Sequence, residues 1–85
     1  MADQEKISQR VTLTIYGDTY HLKTDEPEYL TSLAETLDKK IREQAQVTKF
    51  AGSNQIIMLT ALQILDDYMK LRKDYDELVA MLDDR

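Results

Sequence analysis

Residues 54–82 read NQIIMLTALQILDDYMKLRKDYDELVAML, with no Pro or Gly among them. Within this run Ile57, Ala61, Ile64, Tyr68, Leu71, Tyr75, Leu78 and Leu82 alternate at spacings of four and three. Apolar residues recurring every ~3.5 positions keep to one side of a helix only when two helices wind around each other. A helix of about 30 residues is about 45 Å long. A compact domain made from 85 residues has a radius of gyration of about 12 Å. The far end of such a helix must protrude and find a partner, so these eight residues are expected to form an oligomer interface.

Beside this seam, Met58, Leu62, Leu65 and Met69 form a second line, roughly 100° round the helix, and it stops at Met69. Up to residue 69 the long helix is therefore expected to be covered by the rest of the head, with a second subunit as a further cover. Residues 70–85 are expected to meet only a coiled-coil partner. The exposed faces of that tail offer Asp66–Lys70, Lys70–Asp74, Arg72–Asp76 and Lys73–Glu77 pairs four residues apart. Tyr68 and Tyr75 are core spacers whose hydroxyls can reach the rim.

Toward the N-terminus, Gly52 breaks the pattern, and Ser53 or Asn54 supplies the cap of the long helix. Before it, Leu30, Leu33, Ala34, Leu37, Ile41 and Ala45 recur at helical spacing, which predicts a first helix over 26–46. Asp25 and Glu28 bracket Pro27 as a capping box would. Glu35–Lys39 and Asp38–Arg42 stand four apart in the favourable acid-first order. Earlier still the period is two: Val11, Leu13 and Ile15 alternate with threonines, and Gly17-Asp18 reads as a type II′ hairpin loop. That loop pairs Ile15 with Tyr20 and Leu13 with Leu22, and puts all five apolar residues of the hairpin (10–23) on one face. Residues 1–9 lack periodicity and are expected to form a flexible arm. The fold class is α+β, mostly α: an N-terminal hairpin on a short helix, then a long helix forming an oligomeric coiled coil. The globular head spans 10–69 and the coiled-coil tail 70–85.

Composition narrows the function. The chain has no cysteine, so neither disulfides nor thiolate-bound metal can reinforce a small core, and oligomerisation is the remaining route. Sixteen acidic and 11 basic side chains give a net charge of −5, which disfavours nucleic acid as a partner. The apolar runs Ile56 to Leu59 and Leu78 to Leu82 are far short of a membrane span, and the polar start is not expected to be a signal peptide. The expected compartment is the cytosol.

Catalytic chemistry is not legible. His21 is the single histidine, placed with Thr12 and Thr14 on the open face of the hairpin, with no nucleophile or acid partner nearby in sequence. Asp66-Asp67 and Asp83-Asp84 are neighbours on a helix and diverge by about 100°, so neither pair converges on a cation. No cofactor is expected. Lys39, Lys40 and Arg42 form the basic cluster of the chain. Two readings stand for it: local pairing with Glu35, Asp38 and Glu43, or a docking patch for an acidic partner.

The order of hairpin, short helix and long helix carries specific local sequences. These are VTLTIYGDTYHL at 11–22, above all Ile15, Tyr16 and Gly17; Glu28-Tyr29-Leu30, Leu33-Ala34 and Leu37-Asp38; and TALQILDDY at 60–68. In that order and spacing they resemble the ZapA family, over nearly the whole chain after the first nine residues. With a tail ending at Arg85, the resemblance is to the short form of the family. It implies a non-enzymatic cytosolic protein of the bacterial midcell division site. Such a protein binds the tubulin-like division protein FtsZ, cross-links and bundles its protofilaments and stabilises the Z ring. It also implies a homodimer joined through head and long helix, with tails able to pair into a tetramer, and filament-contacting charges on the head. The partners implied are FtsZ filaments and a second copy, with no nucleic acid and no membrane insertion. From another class, the seam alone also fits a coiled-coil adaptor or regulatory subunit docking onto a larger cytosolic protein.

Overall fold

The computed structural model describes residues 7–83. Strands β1 (Gln9–Ile15) and β2 (Asp18–Thr24) are followed by helices α1 (Pro27–Val47) and α2 (Ser53–Asp83). The α+β, mostly helical class expected from the sequence is the class observed, and the hairpin, α1 and the start of α2 fall within about one residue of their expected bounds. Of the expected arm, Gln9 belongs to β1, and residues 1–6 lie outside the described residues, as do Asp84 and Arg85 of the tail. The chain divides into two compact units, Met1–Lys49 and Phe50–Arg85.

In the first unit the strands pair antiparallel, Leu13 with Tyr20, Val11 with Leu22 and Ile15 with Asp18. The loop is therefore Tyr16-Gly17, one residue earlier than the Gly17-Asp18 loop the sequence suggested. Moving a loop back by one residue changes each pairing by two positions, so every side chain keeps its face. The five apolar residues still share one side. Both loop residues have positive φ, 50° at Tyr16 and 87° at Gly17, which is the type I′ turn rather than II′. Gly17 thus fills the second central position, where glycine accepts φ > 0 without steric cost.

Helix α1 lies chiefly along β1. Leu13, Ala34 and Ile41 are buried, and Leu30, Leu37 and Ala45 are half-buried at the same helical spacing. Burying a side chain such as that of Ile41 is worth about 1.5–3 kcal/mol. The expected capping box does not form: Glu26 is the N-cap and its side chain makes no cap hydrogen bond. Instead the Glu26 N–H donates to Thr24 Oγ1 at 2.9 Å, which turns the chain from β2 into the helix. At the other end the Thr48 N–H donates to the Gln44 carbonyl at 2.9 Å, and the Gln44 amide donates to Thr48 Oγ1 at 2.7 Å.

The second unit is α2, 31 residues long. Its first turn closes when the Ile56 N–H donates to the Gly52 carbonyl at 3.0 Å. Ile56 and Thr60 are buried, and the Thr60 hydroxyl is satisfied by donating to the Ile56 carbonyl at 2.8 Å.

Candidate self-association and partner-binding surfaces

At about 100° per residue, Ile56 and Thr60 lie roughly a quarter-turn from the seam, and the second stripe lies on its other side. The first of these faces is buried, and the other two are largely exposed within one chain. On the seam, Ile57 is 39% exposed, Tyr68 53%, Leu71 69%, Tyr75 63%, Leu78 54% and Leu82 64%, with Ala61 exposed and Ile64 half-buried. The second stripe was expected to be covered by the rest of the head, with a second subunit as a further cover, and within one chain Met58, Leu62, Leu65 and Met69 are each more than half exposed. A single amphipathic face is all that one small partner element can cover, whereas apolar side chains here occupy more than half of the helix circumference.

Tyr68, Leu71, Arg72 and Tyr75 line an apolar depression of about 310 Å³ on the seam. The Arg72 guanidinium donates to the Tyr68 hydroxyl at 3.3 Å and pairs with Asp76 at 3.8 Å. Asp66 meets Lys70 at 2.9 Å, and this carboxylate holds the Lys70 pKa above its ordinary value. Among the described residues the other two expected tail pairs, Lys70–Asp74 and Lys73–Glu77, do not form. In the first unit, Tyr20 and Leu22 of β2 remain 45% and 46% exposed on the apolar face of the hairpin.

The basic cluster separates in space. Lys39 and Lys40 are exposed on α1. Arg42 instead has a structural post: its Nε donates to Asp38 Oδ2 at 2.9 Å, and its guanidinium lies 5.7 Å from the centre of the Tyr16 ring. The other oxygen of Asp38 accepts the Tyr16 N–H at 2.6 Å. That backbone hydrogen bond and the Arg42 contact hold the Asp38 pKa below the usual carboxylate value. Asp38 and Arg42 were legible as a helical pair, but their hold on a turn 22 residues earlier was not, because nothing in local spacing points to it. Glu35 and Lys39 form no ion pair.

The open face of the hairpin carries charges that the sequence reading passed over. Arg10 stands opposite Lys23, and Thr12 opposite His21, with Thr12 Oγ1 and His21 Nδ1 hydrogen-bonded at 3.2 Å. The alternate positions of each strand carry these charges in the sequence, but which of them face each other depends on the register of the hairpin. Among the described residues, no group of three or more His, Cys, Asp or Glu side chains could hold a metal ion. No described helix is long and apolar enough to cross a membrane.

The family model of the cell division protein ZapA matches residues 11–85. Relatives carrying that description include one from Geobacillus sp. (strain WCH70), 35% identical over 83 residues and covering 96% of this chain and 93% of its own. Another, from Oceanobacillus iheyensis, is 32% identical over 83 residues, with 96% and 94% covered. Among solved structures, the ZapA mutant dimer from Geobacillus stearothermophilus superposes with a TM-score of 0.69 at 30% identity, covering 92% of each chain. The match runs through the hairpin, α1 and the whole seam of α2, and this chain belongs to the ZapA family of cell division proteins.

Proposed function

We propose that the chain works in the cytoplasm at the midcell division site as a non-catalytic cross-linker. It self-associates through α2, binds FtsZ filaments, bundles them and so stabilises the Z ring. The observation that carries this reading is the exposed apolar seam along a 31-residue helix. A knob from a facing helix enters a hole made by four residues. Tyr68, Leu71, Arg72 and Tyr75, at spacings of three, four and seven from the first, frame a depression of that kind. A second copy supplies matching knobs, because a two-fold interface uses the same surface twice.

Charge placement favours parallel helices in the dimer. The seam sets Ala61, Tyr68, Tyr75 and Leu82 at heptad position a, and Ile57, Ile64, Leu71 and Leu78 at d. Asp67 and Asp74 then occupy g, and Arg72 occupies e. In a parallel pair, g faces e of the next heptad, so Asp67 meets Arg72 of a second copy, twice by symmetry. In an antiparallel pair, g faces g, and aspartates oppose aspartates. The bare second stripe, with Tyr20 and Leu22, is covered in the same dimer, and residues 70–85 serve only the coil.

Self-association duplicates each filament-binding site, and two weak sites on neighbouring filaments gain from effective concentration. Lys39 and Lys40 are the α1 charges assigned to that contact, with Arg42 holding the turn beside them. Low-speed sedimentation of polymerised FtsZ tests the function: added protein should increase the pelleted polymer. An unchanged pellet contradicts it.

A further inference from the structure

The hairpin divides its side chains between two faces. The face turned away from the apolar one carries Arg10, Thr12 and Thr14 from β1 and Thr19, His21 and Lys23 from β2, all exposed. They stand as three cross-strand pairs, Arg10 with Lys23, Thr12 with His21 and Thr14 with Thr19. No carboxylate is among them, in a chain whose net charge is −5. Arg10, His21 and Lys23, with Leu22, line a shallow depression at one end of the hairpin.

Like charges directly opposite each other on antiparallel strands are destabilising. Among the described residues neither Arg10 nor Lys23 has an ion-pair partner to offset this. The fold itself gains nothing from two cations here, since an acid at either position would give an attractive pair. We propose that the open face of the hairpin is a docking surface for an extended acidic segment of a partner protein. The partner's carboxylates meet Arg10 and Lys23, and its chain runs along the row of Thr hydroxyls and His21.

The dimensions fit. Arg10 to Thr14 spans about 13 Å at about 3.3 Å per residue, room for roughly four extended residues. The hydroxyls of Thr14 and Thr19 each donate one hydrogen bond to a carboxylate or a backbone carbonyl, while Thr12 Oγ1 is hydrogen-bonded to His21 Nδ1. Nucleic acid is a poorer match, because the remainder of this acidic molecule repels a phosphate backbone. The surface lies on a different element from Lys39 and Lys40, and the inference goes beyond the filament-bundling reading and does not depend on it.

Titrating a short Asp/Glu-rich peptide into the isotope-labelled full chain tests the proposal by amide chemical shifts. The expected result is perturbation centred on Arg10, Thr12, His21 and Lys23 that fades as salt is raised. Arg10→Glu places an acid opposite Lys23, so it should leave the melting temperature unchanged or higher while weakening the peptide on the order of tenfold. Perturbation centred on Lys39 and Lys40, no perturbation at all, or wild-type affinity in Arg10→Glu would overturn the proposal. So would tighter binding of a single-stranded DNA oligonucleotide than of the peptide.

Discussion

Asp38 joins two parts of the first unit that are 22 residues apart, accepting the Tyr16 N–H and the Arg42 Nε–H on its two oxygens. A loop residue has no ladder partner for its N–H, so this carboxylate supplies one and fixes the loop at Tyr16-Gly17. A carboxylate whose folded pKa is lowered contributes stability that is present above its unfolded value of about 3.9 and is lost as pH falls through the lower folded value. Asp38→Asn should therefore melt below wild type near neutral pH, and the gap should close as the pH falls through the acid range. A gap that stays constant down to strong acid would show that the charge on Asp38 is irrelevant. Gly17 carries the other half of the turn. A Cβ there meets nothing within 4 Å, so the cost of Gly17→Ala comes only from φ = 87°. That cost should be about 1 kcal/mol, measured by denaturant midpoint, with no change in oligomeric order. The apolar parity of the hairpin was readable from Val11, Leu13 and Ile15, but its loop was not. Moving the loop by one residue leaves the parity intact, and the deciding contact comes from Asp38, far away in sequence.

The elements themselves were legible because each carries its own period, with Pro27 opening α1 and Gly52 preceding α2. What covers them was less legible, since a period shows that a face is apolar and not which chain buries it. Met58, Leu62, Leu65 and Met69 were legible as a face to be covered by the head or a second subunit, and within one chain they are exposed. Two substitutions separate folding from assembly on this ground. Ile41 is 2% exposed, so Ile41→Ala should cost about 2–5 kcal/mol by leaving a cavity in the first unit. Leu78 is 54% exposed in one chain and lies in the tail, so Leu78→Glu should part the tails while the seam from Ile57 to Tyr68 still holds the dimer, leaving the hairpin and α1 folded. In the assembled coil it would bury an unpaired carboxylate, costing several kcal/mol unless the helices part. Size-exclusion chromatography with circular dichroism distinguishes the two; equal unfolding by both would contradict the division. Orientation has its own test. Arg72→Glu should weaken a parallel dimer by opposing Asp67 of the second copy, and adding Asp67→Arg should restore it. If the double variant is no better than the single, the helices do not run parallel in this register.

At the scale of the molecule, the described residues bury few large apolar side chains: Leu13, Ile41 and Ile56. A chain this small without disulfides gains little stability from so thin a core. Covering the seam and second stripe of α2 in a symmetric assembly supplies the missing apolar burial and presents two copies of every docking surface. Folding, assembly and filament cross-linking then depend on the same interface. The family relationship was readable from the order of the hairpin, Leu33-Ala34 and the 60–68 segment. The open basic face of the hairpin was not legible, because Arg10 and Lys23 are 13 residues apart and meet only across the strands. Self-association is tested by sedimentation equilibrium over about a hundredfold range of concentration. The mass should be at least twice the 9.9 kDa of one chain at the upper concentrations, with dissociation on dilution accompanied by loss of helix. A single folded species at 9.9 kDa across the whole range would contradict it.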